Sequence, residues 1–178
     1  MSIFGILSGR ISVSEADDNF INAGTVLGVL ESRGQTLATC ESLTAGALAA
    51  RIADIPGASA VLQGGLVTYS ADLKTSLARV DADVVAQYGV VSAECARAMA
   101  AGARIVCESD WAVSLTGVAG PGAADGHASG DVYIAVAGPK MGNGESAFYQ
   151  WPDVSRAQVR GNAVDAAIQL LYEKITLH

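Results

Sequence analysis

A three-layer α/β/α domain, built around a mixed, mostly parallel sheet of about five strands, is the fold class the sequence predicts. Three observations carry that prediction. In the first half of the chain, short apolar runs alternate with helical periods, the pattern of parallel strands joined by crossover helices. Later, Gly142-Asn143-Gly144 separates two strand-like runs, which implies an antiparallel pair. The composition fits as well: apolar residues make up 51% and charged residues 16%, with 20 glycines, abundant alanine and few aromatics. Helices rich in small residues can pack close to a sheet, and 178 residues fit one domain.

Residues 1–14 show no sustained period and read as an arm or disordered tail, which leaves 15–178 as a single domain. From Glu15 to Arg33, Ala16, Phe20, Ala23, Leu27 and Leu30 mark one face of a helix, with Gly34 as its C-terminal cap. A strand follows over Thr36–Cys40. The turn Glu41-Ser42-Leu43-Thr44-Ala45-Gly46 leads into an Ala-rich helix that ends near Asp54, before Pro56-Gly57. Leu62–Tyr69 reads as a second strand, and Ser70 as the cap of a short helix bearing Asp72, Lys74 and Leu77. Another short helix spans Ala82–Gln87, and Ser92 opens a long one with Cys95, Met99, Ala103 and Val106 on one face. Trp111–Leu115, Val132–Ala137 and Ser146–Trp151 are the remaining strands. Asp153 is the expected cap of a last helix that buries Val164, Ile168, Leu171 and Ile175. No internal repeat is present.

The net charge is −7 and no Lys/Arg cluster occurs, so nucleic acid is a poor partner and a small molecule the expected one. Cys40, Cys95 and Cys107 are widely spaced within apolar runs and read as small reduced hydrophobes. The histidines, His127 and His178, suggest no metal site, and no cofactor is expected. The apolar stretch Ile3–Leu7 lacks the marks of a signal peptide, and no run reaches the roughly 18 apolar residues of a membrane span. A cytoplasmic chain without membrane contact is the expectation.

Ser42 stands between a strand and a helix start, where helix amides could stabilise an oxyanion and Ala45, Gly46 and Ala47 let a ligand approach the backbone. A serine there is as readily a plain N-cap, although Thr44 is the more natural one. A serine nucleophile needs a base, and Lys74 can serve if its charge is disfavoured by the helix dipole and by burial; otherwise it is a solvated surface lysine. Tyr69, at a strand end, either reaches into the cleft or packs its ring. The loop Thr116-Gly117-Val118-Ala119-Gly120-Pro121-Gly122 offers backbone donors for an anion and matches neither a P-loop nor a dinucleotide fingerprint. Arg156 and Arg160, one turn apart, form a two-point clamp for phosphate or carboxylate, or lie on a solvated face.

In order, these stretches resemble the C-terminal domain of the competence/damage-inducible protein CinA, which also occurs as a free-standing nicotinamide mononucleotide deamidase. The matching segments are Thr39–Gly46, Gly65–Ser70 with Lys74, Tyr88–Ser92, Leu115–Gly122 and Gly130–Ala135, within about residues 18 to 175. The resemblance implies metal-free and cofactor-free hydrolysis of the nicotinamide carboxamide to nicotinic acid mononucleotide and ammonia, in pyridine nucleotide salvage. It implies Ser42 as nucleophile, Lys74 as its base and Tyr69 as an assisting hydroxyl. Substrate contacts would come from Thr44, Gly46, Thr116, Gly117, Gly120 and Arg156 or Arg160, in a three-layer fold that assembles as a homo-oligomer.

Two positions depart from the family pattern. Ala45 replaces the first of two glycines usual after the threonine, which is expected to narrow the pocket or shift the backbone. His127-Ala128-Ser129 replaces the usual Lys-Pro-Val, which is expected to alter substrate preference. The larger domain usually fused ahead of this one is absent from the sequence, so a stand-alone version is expected. The alternative reading is a non-catalytic ligand-binding or interaction domain that keeps the fold.

Overall fold

The computed structural model describes residues 21–178, and the expected arm at 1–14 lies outside them. Its five strands are β1 (Leu37–Glu41), β2 (Leu62–Val67), β3 (Trp111–Gly117), β4 (Asp131–Ala137) and β5 (Glu145–Gln150). Its helices are α1 (Ala23–Ser32), α2 (Ala47–Ala53), α3 (Ala71–Ser76), α4 (Ala82–Tyr88), α5 (Ala93–Cys107) and α6 (Arg156–Leu177). The sheet order is β2-β1-β3-β4-β5. β1 pairs in parallel with both β2 and β3, whereas β3–β4 and β4–β5 are antiparallel. Only β4 therefore runs against the other strands.

Strand alternation sorts large side chains to one face and small ones to the other. Leu37, Trp111, Val113, Leu115 and Ile134 join residues of α1, α2 and α6 in the main core. On the opposite face, Ala38, Cys40 and Ala112 meet α5 through Cys95, Met99 and Ala103, and Ala135 and Ala137 meet Ala96 and Ala100. Large residues fill the space under three helices, and alanines let one helix lie close. Truncating Leu115 would cost about 2–5 kcal/mol, and enlarging Ala96 about 1–3 kcal/mol through overpacking.

Several boundaries differ from the sequence reading. Residues 21 and 22 lie outside any helix, and the extended Asn22 caps α1 by accepting from the Thr25 amide, so the helix expected from Glu15 does not run through them; its earlier part lies outside the described residues. β2 stops at Val67, which puts Tyr69 beyond the strand. The cap of α6 is Ser155, in a reciprocal capping box with Gln158, rather than Asp153. Among the described residues, no helix is long and apolar enough to cross a membrane.

Candidate active site

Three parallel strands end on one edge of the sheet, and each delivers part of a pocket. Ser42 follows β1, Tyr69 lies just past β2, and Thr116 and Gly117 end β3. β1 sends its connection towards β2, and β3 sends its own the other way, to β4. The carboxyl ends of β1 and β3 therefore flank a switch point, where open α/β sheets leave a crevice. The pocket there measures about 450 Å³ and is lined by Ser42, Tyr69, Lys74, Thr116, Asp125 and Arg156, among others.

Ser42 and Lys74 meet at its floor. The Lys74 Nζ lies 3.0 Å from Ser42 Oγ and 2.9 Å from the Thr68 carbonyl oxygen. Lys74 is only 2% exposed. Its pKa is lowered from the usual 10.5, chiefly by burial, while Cys95, Cys40 and Asp125 act weakly the other way. The helix-dipole argument for Lys74 does not hold, because α3 has six residues and Lys74 sits in its last turn. Loss of water around the amine does the work instead. Burial also pushes the Cys40 thiol up to about 12 and the Cys95 thiol to about 11, so neither is a thiolate near neutrality.

Tyr69 does not touch the Ser42–Lys74 pair by hydrogen bond. Its hydroxyl accepts from Arg156 Nη2 at 2.7 Å, and Arg156 Nη1 donates to the Gly120 carbonyl at 2.7 Å. One guanidinium thus links the β2 end to the Gly-rich loop across the pocket mouth. Thr116 lines the pocket and donates its hydroxyl to the Val90 carbonyl at 2.6 Å. Gly117 and Gly120 line it too. A side chain at Gly117 would run into the Asp131 carbonyl, and one at Gly120, with φ +78, into Ser129.

The remaining expected contacts lie elsewhere. Arg160 is absent from the lining; its Nε and Nη2 donate to the Leu43 and Thr44 carbonyls at 3.0 and 2.8 Å. Thr44 is fully buried, its hydroxyl has no partner among the described residues, and it does not cap α2. The cap position belongs to Gly46, in a left-handed conformation with φ 94, and Gly46 does not reach the pocket. Ala45 is exposed and outside the lining, so its methyl does not narrow the pocket; its cost is a φ of 53.

Glu41 is the residue that local sequence reading left without a role. Its carboxylate, 1% exposed, accepts from the amides of Gly46, Leu48 and Ala49 at 3.0, 3.0 and 2.9 Å. The helix amides expected to face a substrate oxyanion are therefore occupied by this side chain. A signal was available: an acidic residue ending a buried strand, on the same face as Thr39, must find donors locally. Thr68 and Asp125 were missed as well, since a carbonyl partner and a loop carboxylate leave no pattern in sequence. Among the described residues, no group of three or more His, Cys, Asp or Glu side chains is placed to hold a metal ion.

A sheet with helices on both faces, carrying a buried serine–lysine pair at the carboxyl ends of its parallel strands, makes this an α/β domain with a pocket at its switch point. The family model for the CinA C-terminal domain matches residues 21–175, and the chain belongs to that family. A relative in Listeria welshimeri is 41% identical over 146 residues, 82% of this chain but 35% of that protein. The CinA-like protein of Frankia casuarinae is 44% identical over 124 residues, 70% of this chain and 28% of its own length. The chain thus spans a minor part of these curated relatives. Solved structures match nearly end to end. A CinA superfamily protein from Klebsiella pneumoniae is 30% identical with a TM-score of 0.82, covering 88% of this chain and 96% of that one. A competence/damage inducible protein from Agrobacterium tumefaciens is 30% identical with a TM-score of 0.79, covering 92% and 98%.

Proposed function

We propose that this chain is an amidohydrolase that deamidates nicotinamide mononucleotide, with Ser42 as nucleophile and Lys74 as its base. The observation that carries the reading is the buried amine 3.0 Å from the serine hydroxyl. Burial favours the neutral amine, which can take a proton at that distance. Ser42 Oγ attacks the carboxamide carbon as its proton passes to Lys74. Lys74 then returns the proton to the departing nitrogen, and ammonia leaves an ester on Ser42. Water, deprotonated by the same amine, hydrolyses that ester to nicotinic acid mononucleotide and restores the serine. Arg156 and Tyr69, at the mouth, are suited to the nucleotide's polar end, with Thr116, Gly117 and Gly120 along the wall.

The non-catalytic alternative expects Lys74 turned to solvent, away from Ser42, and the geometry does not favour it. Ammonia release from nicotinamide mononucleotide by wild type, Ser42→Ala and Lys74→Ala tests the mechanism. Activity confined to wild type is expected; equal rates in all three would sink it. Wild type inactive on this nucleotide but active on another amide would keep the chemistry and discard the substrate. Homo-oligomerisation and a cytoplasmic role in pyridine nucleotide salvage belong to the same proposal, and light scattering of the purified chain tests the first.

A further inference from the structure

Beyond the serine–lysine pair, the turn that carries Ser42 is gripped from two sides by opposite charges that bond to its backbone. Glu41 takes the amides of Gly46, Leu48 and Ala49. Arg160, reaching across from α6, takes the carbonyls of Leu43 and Thr44. Within the turn, the Ala45 amide donates to the Ser42 carbonyl at 3.1 Å and the Ala47 amide to the Thr44 carbonyl at 3.2 Å. Two amides remain. Among the described residues, those of Leu43 and Thr44 donate to no protein acceptor.

Their direction follows from peptide geometry. In a trans peptide the N–H points opposite to the preceding carbonyl. The Leu43 carbonyl points at Arg160, so the Thr44 N–H points away from Arg160. The Ser42 carbonyl is fixed on the Ala45 amide, which sets the Leu43 N–H in the same manner. Leu43 lines the pocket beside Ser42. The amide of the residue directly after a serine nucleophile is placed to meet the oxygen of a carbonyl bonded to its Oγ.

We propose that the amide of Leu43 is the oxyanion-hole donor, and that Arg160 and Glu41 are positioning residues that hold its turn in place. This rests on Ser42 being the nucleophile. It removes both roles expected at these places, the substrate clamp at Arg160 and the oxyanion site at the start of α2. Glu41 and Arg160 fix the peptide planes before substrate arrives, so little reorganisation remains as charge develops.

A 3-pyridyl boronic acid separates this from a role in stability alone. Ser42 Oγ adds its lone pair to boron, its proton goes to Lys74, and the resulting tetrahedral boronate places an oxygen where the oxyanion would form. Its affinity is compared with that of planar nicotinic acid mononucleotide in wild type, Arg160→Gln, Arg160→Lys and Glu41→Gln, on protein verified as folded. The expected result is boronate affinity and kcat falling together by about 10- to 100-fold in Arg160→Gln and Glu41→Gln, with affinity for the planar acid held within about twofold. Arg160→Lys, which keeps the charge but loses the two-pronged donor, is expected to fall with them and carries the test if Glu41→Gln does not fold. Equal loss for both ligands, or no loss for either, overturns the proposal. No boronate adduct on wild-type Ser42 would overturn the nucleophile assignment and the oxyanion hole with it.

Discussion

Two loops face each other across the pocket, and they are built on opposite principles. The Ser42 turn is buried from Glu41 to Thr44, and its backbone is tied to Leu115, Glu41 and Arg160. The loop after β3 is exposed from Pro121 to Gly126. It is closed by the paired Ala124 and His127 backbones and by the Asp131 carboxylate, which accepts from the Ala128 amide and from Gln150. The first holds the reacting groups where small displacements are costly; the second presents side chains that change without disturbing a core. In this account chemistry is carried by the first and choice of substrate by the second.

Replacing Ser42 breaks the rigid side outright. Ser42→Ala is expected to lower turnover by about 10³-fold or more, and Lys74→Ala by about 10²–10⁴-fold, with ammonia release as the readout. A stability measurement sharpens the same point. Because burial lowers the folded pKa of Lys74, the unfolded chain binds more protons between that value and the usual 10.5, and wild-type stability rises with pH across this window. Lys74→Met should therefore stabilise the fold most below the folded pKa, with the gain shrinking as pH climbs to 10.5. Chemical denaturation of both proteins over that range checks the sign.

Changes on the open side should act more weakly, on recognition at His127 and on the base only through Asp125. His127→Lys is expected to lower KM for nicotinamide mononucleotide by about two- to fivefold, the scale of an exposed ion pair, with kcat unchanged. Asp125→Asn removes a carboxylate that supports the charged form of Lys74, so the acid limb of the rate profile should move to lower pH. Smallest of all is Ala45→Gly, which relieves a left-handed alanine. The relief, about 1–2 kcal/mol, is offset by about 0.4–1 kcal/mol of unfolded-state entropy, leaving a rise in Tm of a few degrees and no change in activity.

The same contrast governs how much could be read from sequence. The layers, the five strands and the antiparallel pair followed from periodicity and from Gly142–Gly144, because burial dictates both patterns. Ser42, Lys74 and Tyr69 could be singled out as candidates by residue type at strand and helix ends. What Lys74 bonds to could not, since the Thr68 carbonyl is a backbone partner set by where β2 stops. Arg160 looked like a clamp because helical spacing places it beside Arg156. Spacing cannot say that one points into the pocket and the other into the back of a turn. Glu41 was hidden by its neighbours: its partners are amides five to eight residues later, brought back only once β1 and α2 pack. Ala45 looked like an obstruction because a methyl adds volume, whereas its actual cost is conformational.

The most direct test of the central claim is the pH dependence of kcat/KM for ammonia release, in wild type and in Lys74→Ala. The account predicts a wild-type rate that rises with pH as Lys74 deprotonates, with its midpoint below the usual lysine value of 10.5, and a mutant whose residual rate lacks that step. A wild-type profile without an acid limb in that range, or the same limb in both proteins, would contradict it.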